Sequence, residues 1–357
     1  MKINTMKMIR KIGWKKILLA GAAKLVVSVL IIACTKTTAT VADNSNANST
    51  APIFNDTNAT NTESTQIVYL PNPTGGSQLK AILYIPSSSV PVPAVVVLHG
   101  SSGLWSSTDT TNTKMALQFK GWIDSFRVHK IAALFVDSYT ARGVKTFHNM
   151  TPPNNFPIAA EFVRPRDAYA GLEFLRANNK IIPGKIALLG FSHGATTVLS
   201  TMVDANAVAK NTAWFEIGGS TTYTNNVLAP AAKPAAGGFV AAVSYYPGAA
   251  MFSYYGKPGT PSDGKYVNYA PIMIHAAGTD PLYTTTYTNT DNNTQISAYD
   301  ALILKSKLNP ASAAITKFEY ADAAHSFDGE KLAGADATAS VLARTRTIAF
   351  LKYYLFN

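Results

Sequence analysis

Lys185-Ile-Ala-Leu-Leu-Gly190-Phe-Ser192-His-Gly194-Ala195 is the stretch that decides the fold. Ile186 to Leu189 form a short apolar run, the mark of a strand buried on both faces, and a helical pattern over 194–204 follows at once. Between them Gly190-Phe-Ser-His-Gly194 fits G-x-S-x-G in the context that gives the pattern its meaning, strand then sharp turn then helix. The reason is steric. Such a turn forces Ser192 into strained backbone angles and lifts its hydroxyl clear of the sheet. Glycine at 190 and 194 leaves room for the strand to pass close to the helix. The helix N-terminus then aims unpaired N–H groups at the centre where charge would develop.

Outward from this turn, short apolar runs alternate with helical patterns, which predicts an α/β chain with a mostly parallel central sheet and helices on both faces. Ile67 to Leu70 and Ala81 to Ile85 read as an opening antiparallel pair. Buried strands follow at 94–98, 132–136, 186–189, 239–243 and 271–274, with a last one near 316–320. Helices are expected near 112–128, 164–177, 194–204, 295–307 and 337–354. In the second, Ala168, Leu172 and Leu175 recur at helical spacing behind Pro165, which suits a first turn. Residues 205–237, rich in Thr, Asn, Ala and Gly, read as an insertion.

A serine hydroxyl needs a base to take its proton. Of six histidines, His325 lies just past the last strand, on a loop facing the same sheet edge as Ser192, and reads as that base. His275 belongs to a buried strand, His129 ends a helix, and His148 sits in a loop as a candidate pocket residue. Asp280 ends the strand before His325's own. It lies 88 residues after Ser192 and 45 before His325, and it is the carboxylate expected to orient the imidazole. Asp322 and Asp328 are closer to His325 in sequence, but read as solvated or as local caps, and Asp300 reads as surface. A tetrahedral oxyanion needs two donors. The backbone N–H groups of His193 and Ser101 are expected to supply them, Ser101 lying on the loop His99-Gly-Ser-Ser-Gly103 after a buried strand.

Taken together, the region from about 66 to 357 resembles the dienelactone hydrolase family, which has the α/β-hydrolase fold. The resemblance rests on Gly-Phe-Ser-His-Gly at 190–194, Phe135-Val-Asp-Ser-Tyr-Thr-Ala-Arg142-Gly, Val240-Ala-Ala-Val-Ser-Tyr-Tyr-Pro-Gly248, Gly278-Thr-Asp280-Pro and Ala324-His325-Ser-Phe327. It implies ester hydrolysis by Ser192, Asp280 and His325, with Tyr139 and Arg142 near the pocket. Arg142 would there hold a substrate carboxylate, or else form a buried pair with Asp137 or Asp167. One departure matters: the enzymes that gave the family its name use a cysteine nucleophile where this chain has Ser192. Ordinary carboxylic esters, small or polymer-derived, are therefore the expected substrates.

The 357 residues carry a formal charge of +11, which raises the question of nucleic acid. Lys2, Lys7, Arg10, Lys11, Lys15, Lys16 and Lys24 supply seven of those charges within residues 1–33, which hold no acidic residue. The remaining +4 is spread without a basic run, so a phosphate-binding surface is not expected. Residues 1–33 instead read as a signal peptide, a charged region followed by a short apolar one, with an uncleaved anchor as the alternative. Ile31-Ile-Ala-Cys34 contains the only cysteine and resembles a bacterial lipoprotein signal, which implies lipid on Cys34 and an outer-membrane anchor. Residues 34–65 are Thr, Asn, Ser and Ala with few large apolar side chains, and read as a flexible tether. The catalytic domain is then expected over 66–357.

No metal-ligand spacing or nucleotide fingerprint appears, so no cofactor is expected. Beside the esterase stand two other readings. A prolyl-peptidase-like amidase on the same triad usually carries an extra domain, for which 35–66 is too short and polar. A non-catalytic binding lipoprotein would be expected to have lost part of the triad or of the elbow, both of which this chain retains.

Overall fold

The computed structural model describes residues 62–147, 156–206, 214–215, 222–223, 230–248, 266–289, 294–330 and 332–357. Cys34, the expected signal peptide, nearly all of the tether, His148 and most of the expected insertion lie outside the described residues. Ser64–Leu70 (β1) and Leu79–Ile85 (β2) pair antiparallel, as expected. The order continues with Val92–Leu98 (β3), helix Leu117–Val128 (α1), Ala132–Val136 (β4), helix Arg164–Arg176 (α2), Ile181–Phe191 (β5) and helix His193–Thr201 (α3). A short hairpin, Trp214–Phe215 (β6) with Thr222–Tyr223 (β7), precedes Ala242–Tyr245 (β8) and Ile272–Ala277 (β9). A second hairpin joins Thr286–Asn289 (β10) to Thr294–Ser297 (β11), and the chain closes with helix Ala298–Lys307 (α4), Ile315–Tyr320 (β12) and helix Gly334–Phe356 (α5).

Among the described residues the main sheet has eight strands in the order β1-β2-β4-β3-β5-β8-β9-β12. Every pair from β4 to β12 is parallel, and β1 and β2 form an antiparallel edge. This is the α/β-hydrolase arrangement. The chain runs from β3 outward to β4, then returns to the other side of β3 as β5. The carboxyl ends of β3 and β5 thus diverge at a switch point, where open α/β sheets bind ligands.

Residue alternation along the strands sorts the core into two layers. Ala94, Val96 and Leu98 of β3 face α2, α3 and α4 through Leu172, Leu175, Val198, Leu199 and Leu302. Val95 and Val97 face α1 and α5 through Phe119, Trp122, Phe126, Leu351 and Leu355. Fully burying one such side chain contributes about 1.5–3 kcal/mol relative to leaving it exposed. A strained residue costs about 1–3 kcal/mol, so one or two core side chains offset it and the sheet can hold a strained turn at its end.

Where boundaries differ from expectation, a local contact explains the shift. β1 begins at Ser64 rather than after 66, because ladder pairing (Ser64 opposite Ile85) needs no apolar side chain. α1 begins at Leu117 rather than 112, because Asp109 accepts the backbone N–H groups of Thr111, Thr113 and Lys114 and ties 109–114 into a loop. Phe239 lies outside β8, buried and stacked on Tyr169 of α2, so the apolar run starts before the strand.

Candidate active site

Ser192 sits between β5 and α3 with φ 50° and ψ −114°, a backbone conformation rare for a residue with a Cβ. Two hydrogen bonds hold it there: its N–H donates to the Tyr245 carbonyl of β8, and its own carbonyl accepts from Thr196 of α3. The glycines on either side are required by space. A Cβ at Gly190 would lie 2.3 Å from the Gly194 carbonyl oxygen, and one at Gly194 would lie 2.4 Å from that of Leu98.

The loops after β9 and β12 bring Asp280 and His325 to this turn. They are laced together by Gly278 N–H to the Tyr320 carbonyl and Thr279 N–H to the Ala323 carbonyl. His325 Nε2 lies 2.8 Å from Ser192 Oγ, and its Nδ1 lies 2.6 Å from Asp280 Oδ2. A carboxylate only accepts, so Nδ1 carries the proton and Nε2 is left to accept from the serine hydroxyl. Asp280 is buried, and its other oxygen caps the helical turn Pro281–Thr284 through Leu282 N–H. Both oxygens are thereby fixed.

On the far side of Ser192 lies the loop after β3. A Cβ built on Gly100 would be 3.3 Å from Ser192 Cβ, so the backbone of this loop touches the serine. The buried His99 ring fixes the loop from beneath. Ser138 N–H donates to its Nε2, so Nδ1 carries the proton and donates to the Gly100 carbonyl at 2.8 Å. Burial, with the Arg164 guanidinium close by, holds the His99 pKa down to about 3, so the ring is neutral. In a trans peptide the carbonyl and the following N–H point opposite ways. Pinning the Gly100 carbonyl therefore sets the direction of Ser101 N–H. The same logic applies at the elbow, where the Ser192 carbonyl is bound inside α3 and His193 N–H points out of the helix N-terminus.

Two of the expected pocket residues, Arg142 and Tyr139, have partners of the protein's own, and Arg142 also lines a cavity of about 670 Å³ with Asn72, Thr74 and Arg166. Arg142 forms a bidentate pair with Asp167, its side chain only 6% exposed. Its other N–H groups reach the Ser138 carbonyl, Asn72 and Thr74, so of the two readings left open for Arg142 the structure adopts the buried pair. Tyr139 is buried beneath the elbow, with its hydroxyl 2.6 Å from His193 Nδ1. Beside the Gly100–Gly103 loop lies a cavity of about 670 Å³ lined in part by Ser102, Trp105, Thr140 and Thr146.

Three further groups gain a role only from the fold. Asp328, read from the sequence as solvated or as a cap, is buried and accepts from Gln118 and Trp122 of α1 and from the Tyr246 hydroxyl. Burial raises its pKa, with those donors opposing. Tyr246, in turn, packs edge-on against the His325 ring at 5.0 Å and has φ 38°. The third is Arg164, at the start of α2 and fully buried, which donates to His193 Nδ1 and to the His99 carbonyl. A positively charged residue at the start of a helix ordinarily reads as solvent-facing; only its partners, 29 and 65 residues away, reveal otherwise. Among the described residues no group of His, Cys, Asp and Glu is arranged to hold a metal ion.

No protein-family model matches the chain, and no curated protein matches it in sequence. Solved structures do. A provisionally assigned dienelactone hydrolase from Klebsiella pneumoniae superposes with TM-score 0.50 at 13% identity, covering 82% of this chain and 100% of that one. Esterase 2 of Thermogutta terrifontis, phosphonylated by sarin, superposes with TM-score 0.50 at 15% identity, covering 81% of this chain and 95% of that one. At such identity the likeness is one of fold.

Proposed function

We propose that this chain is a serine hydrolase that cleaves carboxylic esters through an acyl-enzyme on Ser192. One observation carries the reading: an unbroken line from Ser192 Oγ to His325 Nε2 at 2.8 Å and from His325 Nδ1 to Asp280 at 2.6 Å, starting at a strained turn. His325 takes the hydroxyl proton as Oγ attacks the ester carbonyl, and Asp280 stabilises the imidazolium that forms. The carbonyl oxygen becomes negative between the N–H groups of His193 and Ser101. His325 then protonates the leaving alcohol, and water, giving its proton to His325, releases the acid from Ser192. Serine in place of the cysteine of dienelactone hydrolases favours ordinary esters. The T. terrifontis neighbour, an esterase phosphonylated by sarin, supports an ester-directed reading. Arg142 is paired with Asp167, so in this reading it acts through that buried pair.

An assay of residues 62–357 against p-nitrophenyl esters of increasing acyl length tests this. Turnover by the wild type and its loss by about 10⁴-fold or more in Ser192→Ala is the expected result. Turnover that survives the substitution would refute it. At the N-terminus, the reading is of export and lipid attachment at Cys34, with the outer membrane as destination. A lipidated N-terminal peptide beginning at Cys34, found by mass spectrometry of membrane fractions, is the expected outcome.

A further inference from the structure

Arg164 belongs to none of the motifs around Ser192, yet it touches both segments that carry the oxyanion donors. One guanidinium nitrogen donates to the His99 carbonyl at 2.8 Å, and the other lies 2.9 Å from His193 Nδ1. Its side chain is 0% exposed, it forms no ion pair among the described residues, and its Nε has no partner. The surrounding charges are Asp137 and Asp167, which favour its ionisation, and Arg142, which opposes it; burial is the largest influence and also opposes it. Asp167 is already bound to Arg142, and Asp137 to Trp105 Nε1 and to two backbone N–H groups.

The contacts have two geometric consequences. A guanidinium only donates, so His193 Nδ1 must be an acceptor, and the imidazole proton sits on Nε2. Tyr139 adds its hydroxyl to the same nitrogen, and Phe147 stacks on the ring at 4.4 Å, so the elbow side chain is held in one orientation. On the loop, Arg164 holds the His99 carbonyl while the His99 ring holds the Gly100 carbonyl, so both peptides leading to Ser101 N–H are fixed.

We propose that Arg164 is a positioning residue of the oxyanion pocket: its guanidinium fastens the His99 loop to the His193 ring, sets the spacing of the two N–H donors, and places a buried positive charge behind the oxygen that becomes negative. The proposal rests on the serine-hydrolase reading. Burial and the neighbouring guanidinium also keep His193 well below the usual imidazole range, so the elbow ring stays neutral and does not compete with His325 for the serine proton.

Steady-state kinetics of Arg164→Met, Arg164→Lys and Tyr139→Phe, beside wild type on a p-nitrophenyl ester, provide the test. Loss of an oxyanion donor costs about 10²–10³ in kcat. Arg164→Met should lose about 10²-fold in kcat with KM changed by less than about threefold, and the pH at which activity rises should not move. Arg164→Lys, which keeps the charge but cannot span both contacts, should fall between Met and wild type. It carries the test if the Met variant does not fold. Tyr139→Phe, which removes a donor to His193 but no charge, should lose less than about fivefold. A kcat within about threefold of wild type in both Arg164 variants, or a loss that only follows the folded fraction, overturns the proposal. Nitrogen-15 spectra of labelled histidines supply a readout that needs no turnover. His193 should be the neutral Nε2–H tautomer in wild type, and its pKa should rise in Arg164→Met while burial still holds it below the usual range. A wild-type Nδ1–H tautomer sinks the Arg164 contact whatever the activity, whereas wild type without turnover but with the expected spectrum sinks only the hydrolase reading.

Discussion

His325 contacts Ser192 and His193 follows it in the chain, and their Nδ1 atoms meet opposite partners. Behind His325 is the buried carboxylate of Asp280; behind His193 are the Arg164 guanidinium and the Tyr139 hydroxyl. A carboxylate behind an imidazole stabilises its protonated form. Donors behind an imidazole occupy the lone pair a proton would need, and a buried cation repels the charge. Two side chains of the same type are thus given opposite electrostatic surroundings by what stands behind them. In the proposed reaction one receives a proton and the segment of the other faces a negative oxygen. The supports differ in cost as well. Asp280 sits in a satisfied network, while Arg164 is a buried charge without an ion pair among the described residues, an arrangement that costs several kcal/mol and that the two apolar layers must outweigh.

The contrast is broken most severely from the carboxylate side. Asp280→Asn keeps the shape but removes the charge that favours the protonated base. The equivalent change in a well-studied serine protease lowers kcat by about 10⁴, and a loss of about 10³–10⁴ is expected here, read as kcat on an activated ester. Activity within tenfold of wild type would mean that the two flanks are not electrically distinct.

A smaller effect comes from the clamp on the His325 loop. Tyr246→Phe removes a hydroxyl from buried Asp328 and loosens the surface on which the His325 ring rests. Asp328 keeps its bonds from Gln118 and Trp122, so the cost is that of one hydrogen bond, about 0.5–1.5 kcal/mol; the melting temperature should fall by a few degrees and kcat by about tenfold. No change in either would show that the loop is held by its lacing to the Asp280 loop alone.

The gentlest test uses pH on stability. His99 and His275 are pushed down to about 3, and His193 well below the usual range, by burial first in each case. Unfolded, each ring titrates at 6.5. Above that pH both states are neutral and the shift has no effect. As pH falls below it, the unfolded chain takes up protons the folded chain refuses, so stability is lost, by up to about 1.4 kcal/mol per pH unit for each ring. Asp328, whose folded pKa is raised, binds its proton more readily when folded and opposes part of this. Unfolding in urea near pH 5 should therefore show an uptake of about two to three protons, falling to about 1.5 or less at pH 6.5. An uptake below about one would mean that these rings are not neutral in the folded chain.

The flanks also differ in how far they can be read from sequence. Ser192, Asp280 and His325 stand at the ends of strands that apolar runs mark well, so their meeting follows from topology. His275 reads as a buried core histidine, and it bonds Tyr320 and Thr347 inside the core. The cationic flank is illegible for a physical reason. Arg164 lies next to Pro165 on a helix start, and nothing local distinguishes a guanidinium that turns inward from one in water. Its burial is decided by the His99 carbonyl and the His193 ring, supplied by β3 and α3. Asp328 illustrates the same limit: three residues from His325 it reads as a local group, but its partners come from α1 and from Tyr246. Arg142 is half legible: the sequence allows a buried pair with Asp167 beside a substrate-binding role, and the pair with Asp167 is seen only in the side-chain positions.

The central claim is that Ser192 is a nucleophile activated by the carboxylate-backed histidine, and a fluorophosphonate probe on the folded region 62–357 tests it most directly. Peptide mapping should find one adduct, on the peptide containing Ser192, absent in Ser192→Ala and formed far more slowly in His325→Ala. A folded wild type that takes no label, or takes it on another serine, would contradict the account.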